Sequence, residues 1–203
     1  MDSIGCAAHG VEIKLAEDGE ILARGGGTAM GYYQAPEKTA ETFEDDGWVH
    51  TGDRGRMDEE GHLYITGRVK EIFKTAKGKY VAPAPIEGRF LETSLAEQAC
   101  LTGPGLAQTV MILVLAEGAS GKSDEELGTA LLEHTAALNR GLDKHEQIGA
   151  LIVSRTPWSQ ENRVLTHTLK IKRDQVEERF AREIEAAGDR MRHNEPLFVS
   201  FVA

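Results

Sequence analysis

Alternation of apolar and polar residues predicts two hairpins in the first third of the chain. In the first hairpin, apolar residues alternate with polar ones over residues 11–15, Asp18 and Gly19 supply the turn, and residues 21–23 return. A period of two gives a strand one apolar face, and Asp-Gly favours a tight hairpin turn. The second hairpin is expected over residues 55–66. Strands and turns therefore dominate this part of the chain.

From residue 67 onward, the spacing of apolar residues predicts helices mixed with buried strands. Ser123 and Glu126 form a capping-box pattern that opens a helix running to about Leu142. Helices and strands mixed over about 135 residues indicate a compact α+β domain. The other expected elements of the chain are helices over residues 35–43, 85–95 and 173–187 and short strands over residues 109–116 and 151–154.

Composition describes a folded chain without secretory features. The 203 residues are 40% apolar, and their mean hydropathy is −0.35. The longest apolar stretches are far shorter than the roughly 20 residues that span a bilayer. The first ten residues hold no basic or long apolar region, so no secretory signal is expected. Cys6 and Cys100 make neither a zinc pattern nor a disulfide framework, which favours a reducing compartment and the cytoplasm.

Charge is distributed unevenly along the chain. Residues 1–66 hold 5 Lys and Arg against 14 Asp and Glu, whereas residues 67–203 hold 18 bases and 19 acids. The net charge of −10 disfavours nucleic-acid binding. Within the second part, bases cluster in two short runs, over residues 68–79 and 170–173. Local basic clusters on a nearly neutral domain suit a small phosphorylated ligand better than a long polyanion.

Two motifs carry candidate groups for a nucleotide. Asp53, in Thr51-Gly52-Asp53, is expected on a loop beside a hairpin, where a carboxylate can accept both hydroxyls of a ribose. The alternative is a solvated turn acid. Arg68 follows fifteen residues later, and its guanidinium could hold a ribose or phosphate oxygen by paired donors. The alternative there is a surface base at the end of a strand.

Two lysine-rich motifs follow. Three lysines surround Gly78 within residues 73–83, and such a loop can approach phosphates closely; the alternative is a charged turn with no ligand. Lys170 lies in a Thr-rich, strand-like stretch, where a lysine acts as a point charge. The alternative is a helix N-terminus capped by Thr166 or Thr168.

In this order, the four motifs resemble the closing third of the adenylate-forming superfamily of acyl- and aryl-CoA synthetases, adenylation domains and luciferases. The resemblance runs from about Gly10 to Arg173 and rests on the succession GEI, GYY, PEKT, GWVHTGD, GRVKEIFKTAKGKYVAP and IE. KTAKGKYVAP and LTHTLKIKR look most like long-chain fatty acid–CoA ligases. The resemblance implies three parts. They are the β-rich end of a large adenylating domain at residues 1–66, a hinge at 67–71, and a mobile C-terminal lid domain at 72–203 with a short mixed sheet flanked by helices.

The resemblance also implies a reaction and a set of roles. In such enzymes a carboxylate attacks the α-phosphorus of ATP to give an acyl-adenylate and pyrophosphate, and the CoA thiolate then displaces AMP. The implied roles are adenylation for Lys170, ribose binding for Asp53, ribose or phosphate contact for Arg68, a nucleotide-side base at Lys74, the hinge at Lys70, and CoA contact at Lys77 and Gly78.

Two positions depart from the family pattern. Leu169 stands where many members have glycine before the adenylation lysine, which weakens the alternative of a carrier-protein adenylation domain. His167 stands where the long-chain branch often has proline, which slightly weakens the long-chain assignment.

The resemblance finally implies parts that this sequence does not include. The family's phosphate loop, the glutamate that holds Mg²⁺ and the acyl pocket would precede Met1, so we expect a C-terminal fragment that is inactive in isolation. Its partners would be the fatty acid, ATP and CoA, together with the missing N-terminal adenylating domain. The resemblance allows peripheral membrane contact in the full enzyme. A stand-alone AMP- or CoA-binding module without catalysis remains the alternative.

Overall fold

The computed structural model describes residues 3–119 and 121–202 and divides into two compact units. The first unit ends at Ile72 and the second begins at Phe73. Met1 and Asp2, which entered the expectation about a secretory signal, lie outside the described residues. The hinge over residues 67–71 lies at the end of the first unit and stays a prediction.

The first unit contains a four-stranded antiparallel sheet whose strands are ordered as in the sequence. A 3₁₀ turn over Val69–Glu71 follows the last strand. Both predicted hairpins and the predicted short helix are confirmed, and Pro36 opens that helix as proline favours. The elements are β1 (Val11–Leu15), β2 (Glu20–Gly25), α1 (Pro36–Thr42), β3 (Val49–Met57) and β4 (Leu63–Arg68).

The core of the first unit is small and includes one tryptophan between two cations. The Trp48 side chain is buried together with Ile21 and Leu22 of β2. The Lys14 Nζ atom lies 4.2 Å from the Trp48 ring centroid, and the Arg24 Cζ atom lies 4.6 Å from it. Cations at these distances are attracted by the quadrupole of the ring. The basic side chains of β1 and β2 therefore help to cover the tryptophan.

The second unit is built on a mixed four-stranded sheet. Its strands are ordered β10 (Phe198–Val202), β9 (Ile148–Ser154), β8 (Thr109–Leu115) and β7 (Ala96–Thr102). Strand β7 pairs antiparallel with β8, and the other neighbours are parallel. The expected short mixed sheet flanked by helices is confirmed. The elements are β5 (Phe73–Lys74), β6 (Tyr80–Val81), α2 (Pro83–Phe90), β7 (Ala96–Thr102), β8 (Thr109–Leu115), α3 (Asp124–Asn139), β9 (Ile148–Ser154), α4 (Arg173–Arg179), α5 (Ala181–Arg192) and β10 (Phe198–Val202).

The sheet of the second unit is buried on both faces. Along β8, Met111 and Leu113 pack into one apolar cluster with residues of α2 and α3, and Val110 and Ile112 pack into another with residues of α4 and α5. Successive side chains of a strand point to opposite faces, so a strand covered on both sides reads as a continuous apolar run. This is why Thr109–Leu115 is nearly all apolar.

Several boundaries differ from the expectations. The predicted helix over residues 173–187 is two helices, α4 and α5, which are separated at the buried Phe180. Helix α2 begins at Pro83 and ends at Phe90, short of the expected Leu95. The strands β5, β6, β7 and β10 were not predicted, because β5 and β6 have two residues each and β7 mixes polar with apolar residues.

The capping box of α3 is confirmed. The Glu126 N–H donates to Ser123 Oγ at 3.2 Å, and the Ser123 N–H donates to Glu126 Oε2 at 2.8 Å. Two donors at the helix start are thereby satisfied. Leu127, Leu131 and Leu138 of this helix are buried.

Replacing the cap should destabilise the second unit measurably. Ser123→Ala removes the acceptor for the Glu126 N–H, so we expect the free energy of unfolding to fall by about 1 kcal/mol. Chemical denaturation followed by far-UV circular dichroism measures the change. Thr129→Ala, at an exposed position within the same helix, is the matched control and should not destabilise the protein. An equal loss in both variants would contradict the capping role.

Candidate functional site

Two candidate residues are brought together across a strand pair in the first unit. Asp53 of β3 lies opposite Arg68 of β4 in the sheet register. The Arg68 Nε atom is 2.8 Å from Asp53 Oδ1, and the two side chains are 53% and 27% exposed. Asp53 was expected on a loop, and this is corrected: it lies within β3, next to an irregularity between Arg54 and Gly55. A partly exposed carboxylate held by an arginine is a suitable acceptor for hydroxyl groups.

The segment before Asp53 is fixed by β2. The Gly52 N–H donates to Glu20 Oε1 at 2.8 Å, and the Thr51 hydroxyl donates to the carbonyl of Ile21 at 2.7 Å. Gly52 has a φ of +73°, in the left-handed region that glycine adopts without strain. The Asp53 N–H donates to Thr51 Oγ1 at 3.2 Å. The backbone of Thr51-Gly52-Asp53 is therefore held before any ligand arrives.

A histidine beside this segment lies between two carboxylates. The His50 Nδ1 atom is 2.8 Å from Glu20 Oε2, and Nε2 is 3.1 Å from Glu44 Oε1. The hydrogen bond to Glu20, with smaller charge effects of Glu20 and Glu44, holds the pKa of His50 above its ordinary value of 6.5. When it is protonated, His50 of β3 forms an ion pair with Glu20 of β2, next to the Gly52 backbone.

Arg68 and Lys70 line a cleft in the same unit. The cleft has a volume of about 380 Å³. Lys70 is exposed within the 3₁₀ turn that follows β4. The Nζ atom of Lys38, in α1, lies 4.0 Å from the centroid of the Tyr32 ring, and both residues line the cleft. Basic and aromatic side chains thus share one concave surface with Gly52.

In the second unit, the three lysines around Gly78 lie on a short hairpin. Lys74 ends β5, and Lys77 and Gly78 lie in the turn that leads to β6. Gly78 has a φ of +74° and its N–H donates to the carbonyl of the buried Thr75 at 2.9 Å. Lys74 and Lys77 are exposed. The ammonium groups of Lys74 and Lys77 are therefore accessible to solvent, while hydrogen bonds within the hairpin hold its backbone.

Lys170 lies in a tight turn of the second unit. The Thr166 N–H donates to the Lys170 carbonyl at 2.8 Å, and the Lys170 N–H donates to Thr166 Oγ1 at 3.0 Å. Leu165 and Ile171 form an isolated β-bridge that closes this segment, called here the Lys170 turn (residues 165–171). The expected strand-like setting is limited to the two bridge residues, and residues 166–170 between them form a turn. The alternative, a helix capped by threonine, is wrong, because α4 begins only at Arg173 without a side-chain cap.

Leu169, the residue in place of the family's glycine, has a strained backbone. Its φ is +59°, and its side chain is 67% exposed. A side chain with a Cβ atom is disfavoured in this left-handed region. The structure therefore gives a conformational reason for glycine at this position.

Some residues at these sites were not singled out from the sequence. Glu20 and His50 lie in the quoted motifs GEI and GWVHTGD, but nothing in those motifs joins them to each other or to Glu44. Glu87 and Arg173 form an ion pair of 2.7 Å across 86 positions. Both belong to quoted motifs, IE and LTHTLKIKR, but nothing in the spacing joins them.

The described residues contain neither a candidate metal site nor a membrane-spanning helix. Among residues 3–119 and 121–202, no group of three or more His, Cys, Asp or Glu side chains is placed to hold a metal ion. In the same part of the chain, no helix is long and apolar enough to cross a membrane.

Comparison with known families decides the assignment. The family model for the C-terminal domain of AMP-binding enzymes matches residues 70–192. The chain belongs to this family. The resemblance found from the sequence motifs is thereby confirmed. The matched residues include most of the second unit.

Curated relatives of this AMP-binding enzyme C-terminal domain include fatty acid–CoA ligases. The long-chain-fatty-acid–CoA ligase FadD15 of Mycobacterium tuberculosis is 35% identical over 203 residues, covering 92% of this chain and 34% of that protein. Human long-chain-fatty-acid–CoA ligase 6 is 34% identical over 186 residues, covering 83% of this chain and 27% of that protein. The chain therefore spans about a third of the length of these relatives.

Solved structures show the same fold. The A domain of a carboxylic acid reductase from Segniliparus rugosus has a TM-score of 0.79 at 23% identity, covering 92% of this chain and 32% of that one. The amide bond synthetase McbA from Marinactinospora thermotolerans has a TM-score of 0.68 at 25% identity, covering 88% of this chain and 36% of that one.

The contacts of His50 predict a pH dependence in the first unit. Because the pKa of His50 is raised, its ion pairs contribute their full stability below pH 6.5, and this contribution is lost as the pH rises through the raised pKa. An NMR titration of the imidazole should show a midpoint above 6.5. In Glu20→Gln, which keeps the size of the side chain, the midpoint should fall. A midpoint that does not move would contradict the assigned cause.

Relieving the strain at Leu169 should stabilise the turn. Leu169→Gly removes the penalty of the left-handed backbone, and the more flexible unfolded chain offsets part of the gain, so we expect a stabilisation of up to about 1 kcal/mol. Chemical denaturation measures it. Leu169→Ala keeps the Cβ atom and is the matched control, for which no gain is expected. A gain of equal size in the control would show that strain is not the cause.

Proposed function

We propose that this chain is the C-terminal part of an ATP-dependent fatty acid–CoA ligase. Such an enzyme converts a fatty acid, ATP and CoA into acyl-CoA, AMP and pyrophosphate through an acyl-adenylate. The observation that carries the proposal is the similarity to fatty acid–CoA ligases over most of this chain. The substrates would be small molecules, and the acyl chain would be held by parts of the enzyme outside these residues.

The nucleotide side of the reaction is assigned to the first unit. Asp53 would accept hydrogen bonds from the two ribose hydroxyls, since a carboxylate has acceptor positions beyond the one facing Arg68. Arg68 would orient that carboxylate through its 2.8 Å contact and present the exposed part of its guanidinium to a ribose or phosphate oxygen. The fixed backbone of Thr51-Gly52-Asp53 supports this role because little would have to reorganise on binding.

Lys170 is assigned to the first half-reaction. Attack of the fatty carboxylate on the α-phosphorus builds negative charge on a five-coordinate phosphorus, and an ammonium group placed there stabilises that charge. Exposure of Lys170 and the closed turn beneath it support this role, because the ammonium is displayed from a backbone fixed by Thr166. After the adenylate has formed, this group is no longer needed.

The second half-reaction is assigned to the Gly78 hairpin. Rotation about Lys70 would withdraw Lys170 and bring Lys77 and Gly78 toward the CoA, while Lys74 would serve the nucleotide. A hinge absorbs a domain motion at a few residues, and the 3₁₀ turn at Val69–Glu71 is a short segment of this kind. One small domain would thus serve both half-reactions.

Further parts of the proposal lie outside this chain. Mg²⁺ would accompany ATP, with its protein ligand in the N-terminal adenylating domain. That domain would be the partner of the present units, and the assembled enzyme would be cytoplasmic, with room in the proposal for peripheral membrane contact.

Lys170 provides the test, in the longer ligase that the proposal implies. Lys170→Ala should slow acyl-adenylate formation by two or more orders of magnitude, about 3 kcal/mol of lost charge stabilisation. The second half-reaction is measured as thioester formation from supplied acyl-adenylate and CoA, with release of AMP, and it should be spared.

Lys122→Ala, at an exposed position of the second unit, is the control and should leave both half-reactions unchanged. The 203-residue chain alone should give no acyl-CoA. Equal losses in the two half-reactions would contradict the role of Lys170. Turnover by the isolated chain would contradict the fragment assignment, and AMP or CoA binding without an upstream frame would favour the binding module.

A further inference from the structure

A two-point ion pair joins two helices of the second unit. The Arg173 Nη1 atom lies 2.7 Å from Glu87 Oε1, and Nη2 lies 3.3 Å from Glu87 Oε2. The side chains are only 17% and 15% exposed. Paired contacts of this kind fix the direction of the guanidinium plane as well as its distance. The Glu87–Arg173 pair therefore defines where the first residue of α4 lies relative to α2.

The same pair is also tied to the sheet. The Arg173 Nη1 atom donates to the Leu101 carbonyl at 2.6 Å and to the Cys100 sulfur at 3.1 Å. Glu87 Oε1 accepts the Leu101 N–H at 2.6 Å. The backbone N–H and the carbonyl of Leu101, in strand β7, thus both form hydrogen bonds with the Glu87–Arg173 pair. Helices α2 and α4 are held to one point of β7.

The Lys170 turn is directly connected to this point. Lys170 lies three residues before Arg173, so at most about 10 Å of extended backbone separates them. The Lys172 N–H donates to the carbonyl of the buried Val164 at 2.8 Å, which joins the two ends of the turn. No side chain caps α4; the Arg173 side chain ties its first residue to α2 and β7, and Thr102 Oγ1 donates to Glu177 one turn further along.

The local hydrogen bonds of the turn serve a different purpose. Those of Thr166 set the internal shape of the turn, but they contain no contact with α2 or β7. Leu165 and Ile171 of the turn pack in the apolar cluster of α4 and α5, and apolar contacts of this kind are not directional. The directional contacts at the C-terminal end of the turn come from Val164 and Arg173, so loss of the Arg173 contacts should loosen the turn.

We propose that the Glu87–Arg173 pair is a positioning device that sets the location of the Lys170 ammonium for adenylation. The pair does not touch the substrates and acts through the backbone of residues 170–173. This inference rests on the proposed function, because it assigns a purpose to the placement of Lys170. Displacing a charge by about 1 Å from its productive place can reduce a rate by about a hundredfold.

Amide hydrogen exchange in the 203-residue chain tests the structural half of the proposal. Arg173→Lys keeps the charge but lacks the planar fork. We expect exchange at the Thr166 and Lys172 amides to accelerate about tenfold or more, while amides in the middle of α3 stay unchanged, because only a local opening is favoured. A pair that serves stability alone would accelerate both sets by the same factor, and that result, or no change in either set, would overturn the proposal.

Two further variants complete the exchange experiment. Glu87→Gln keeps the shape and an acceptor for the Leu101 N–H but loses the charge, and it should give the same selective acceleration even if Arg173→Lys fails to fold. Arg155→Lys alters an exposed ion pair with Asp124 in the same unit and is the matched control. It should leave the Thr166 and Lys172 amides unchanged; acceleration there would overturn the specificity of the Glu87–Arg173 pair.

Kinetics of the longer ligase test the catalytic half. Arg173→Lys should lower the kcat of acyl-adenylate formation about tenfold or more, with the KM for ATP near its original value and thioester formation from supplied acyl-adenylate spared. Unchanged adenylation in this variant, in an enzyme that Lys170→Ala does cripple, would overturn the positioning role alone. If Lys170→Ala has no effect on adenylation, the proposed function itself fails.

Discussion

Burial of one sheet on both faces is the constraint on which the second unit depends. Strands β8 and β9 are apolar at nearly every position, because one set of side chains meets α2 and α3 and the other meets α4 and α5. Such a sheet leaves little freedom for the helices that cover it. The hairpin around Gly78 leads into α2 and the Lys170 turn leads into α4, so both of these candidate segments adjoin helices that cover the sheet.

Polar groups supply the finer placement that apolar packing cannot. In the first unit, Glu20 holds His50 and the Gly52 backbone, and Arg68 holds Asp53. In the second, Arg173 holds Glu87 and the backbone of β7. Each contact is directional, whereas apolar contacts are not, so these side chains determine orientation where the core determines only proximity. Charged side chains thus fix the groups beside them, Glu20 in the first unit and Glu87 with Arg173 in the second.

Sequence patterns recovered the elements whose signals are local. The hairpins, the capping box at Ser123 and the buried strand β8 follow from period, turn chemistry and capping within a few residues. The setting of Asp53, the break at Phe180 and the position of β10 were not predicted, since each depends on a partner distant in the chain. Leu169 was identified as a departure from a family pattern, and the structure added its left-handed backbone as the physical reason.

The sequence by itself determined the family, through motifs whose order and spacing can be read directly, and it determined the α+β class through hydrophobic periodicity. Only the tertiary structure decided which side chains meet. Glu87 and Arg173 are 86 positions apart, and Asp53 and Arg68 face each other because of a strand register that includes an irregularity. Register and helix packing arise from the whole set of buried contacts, so no local stretch of residues contains them.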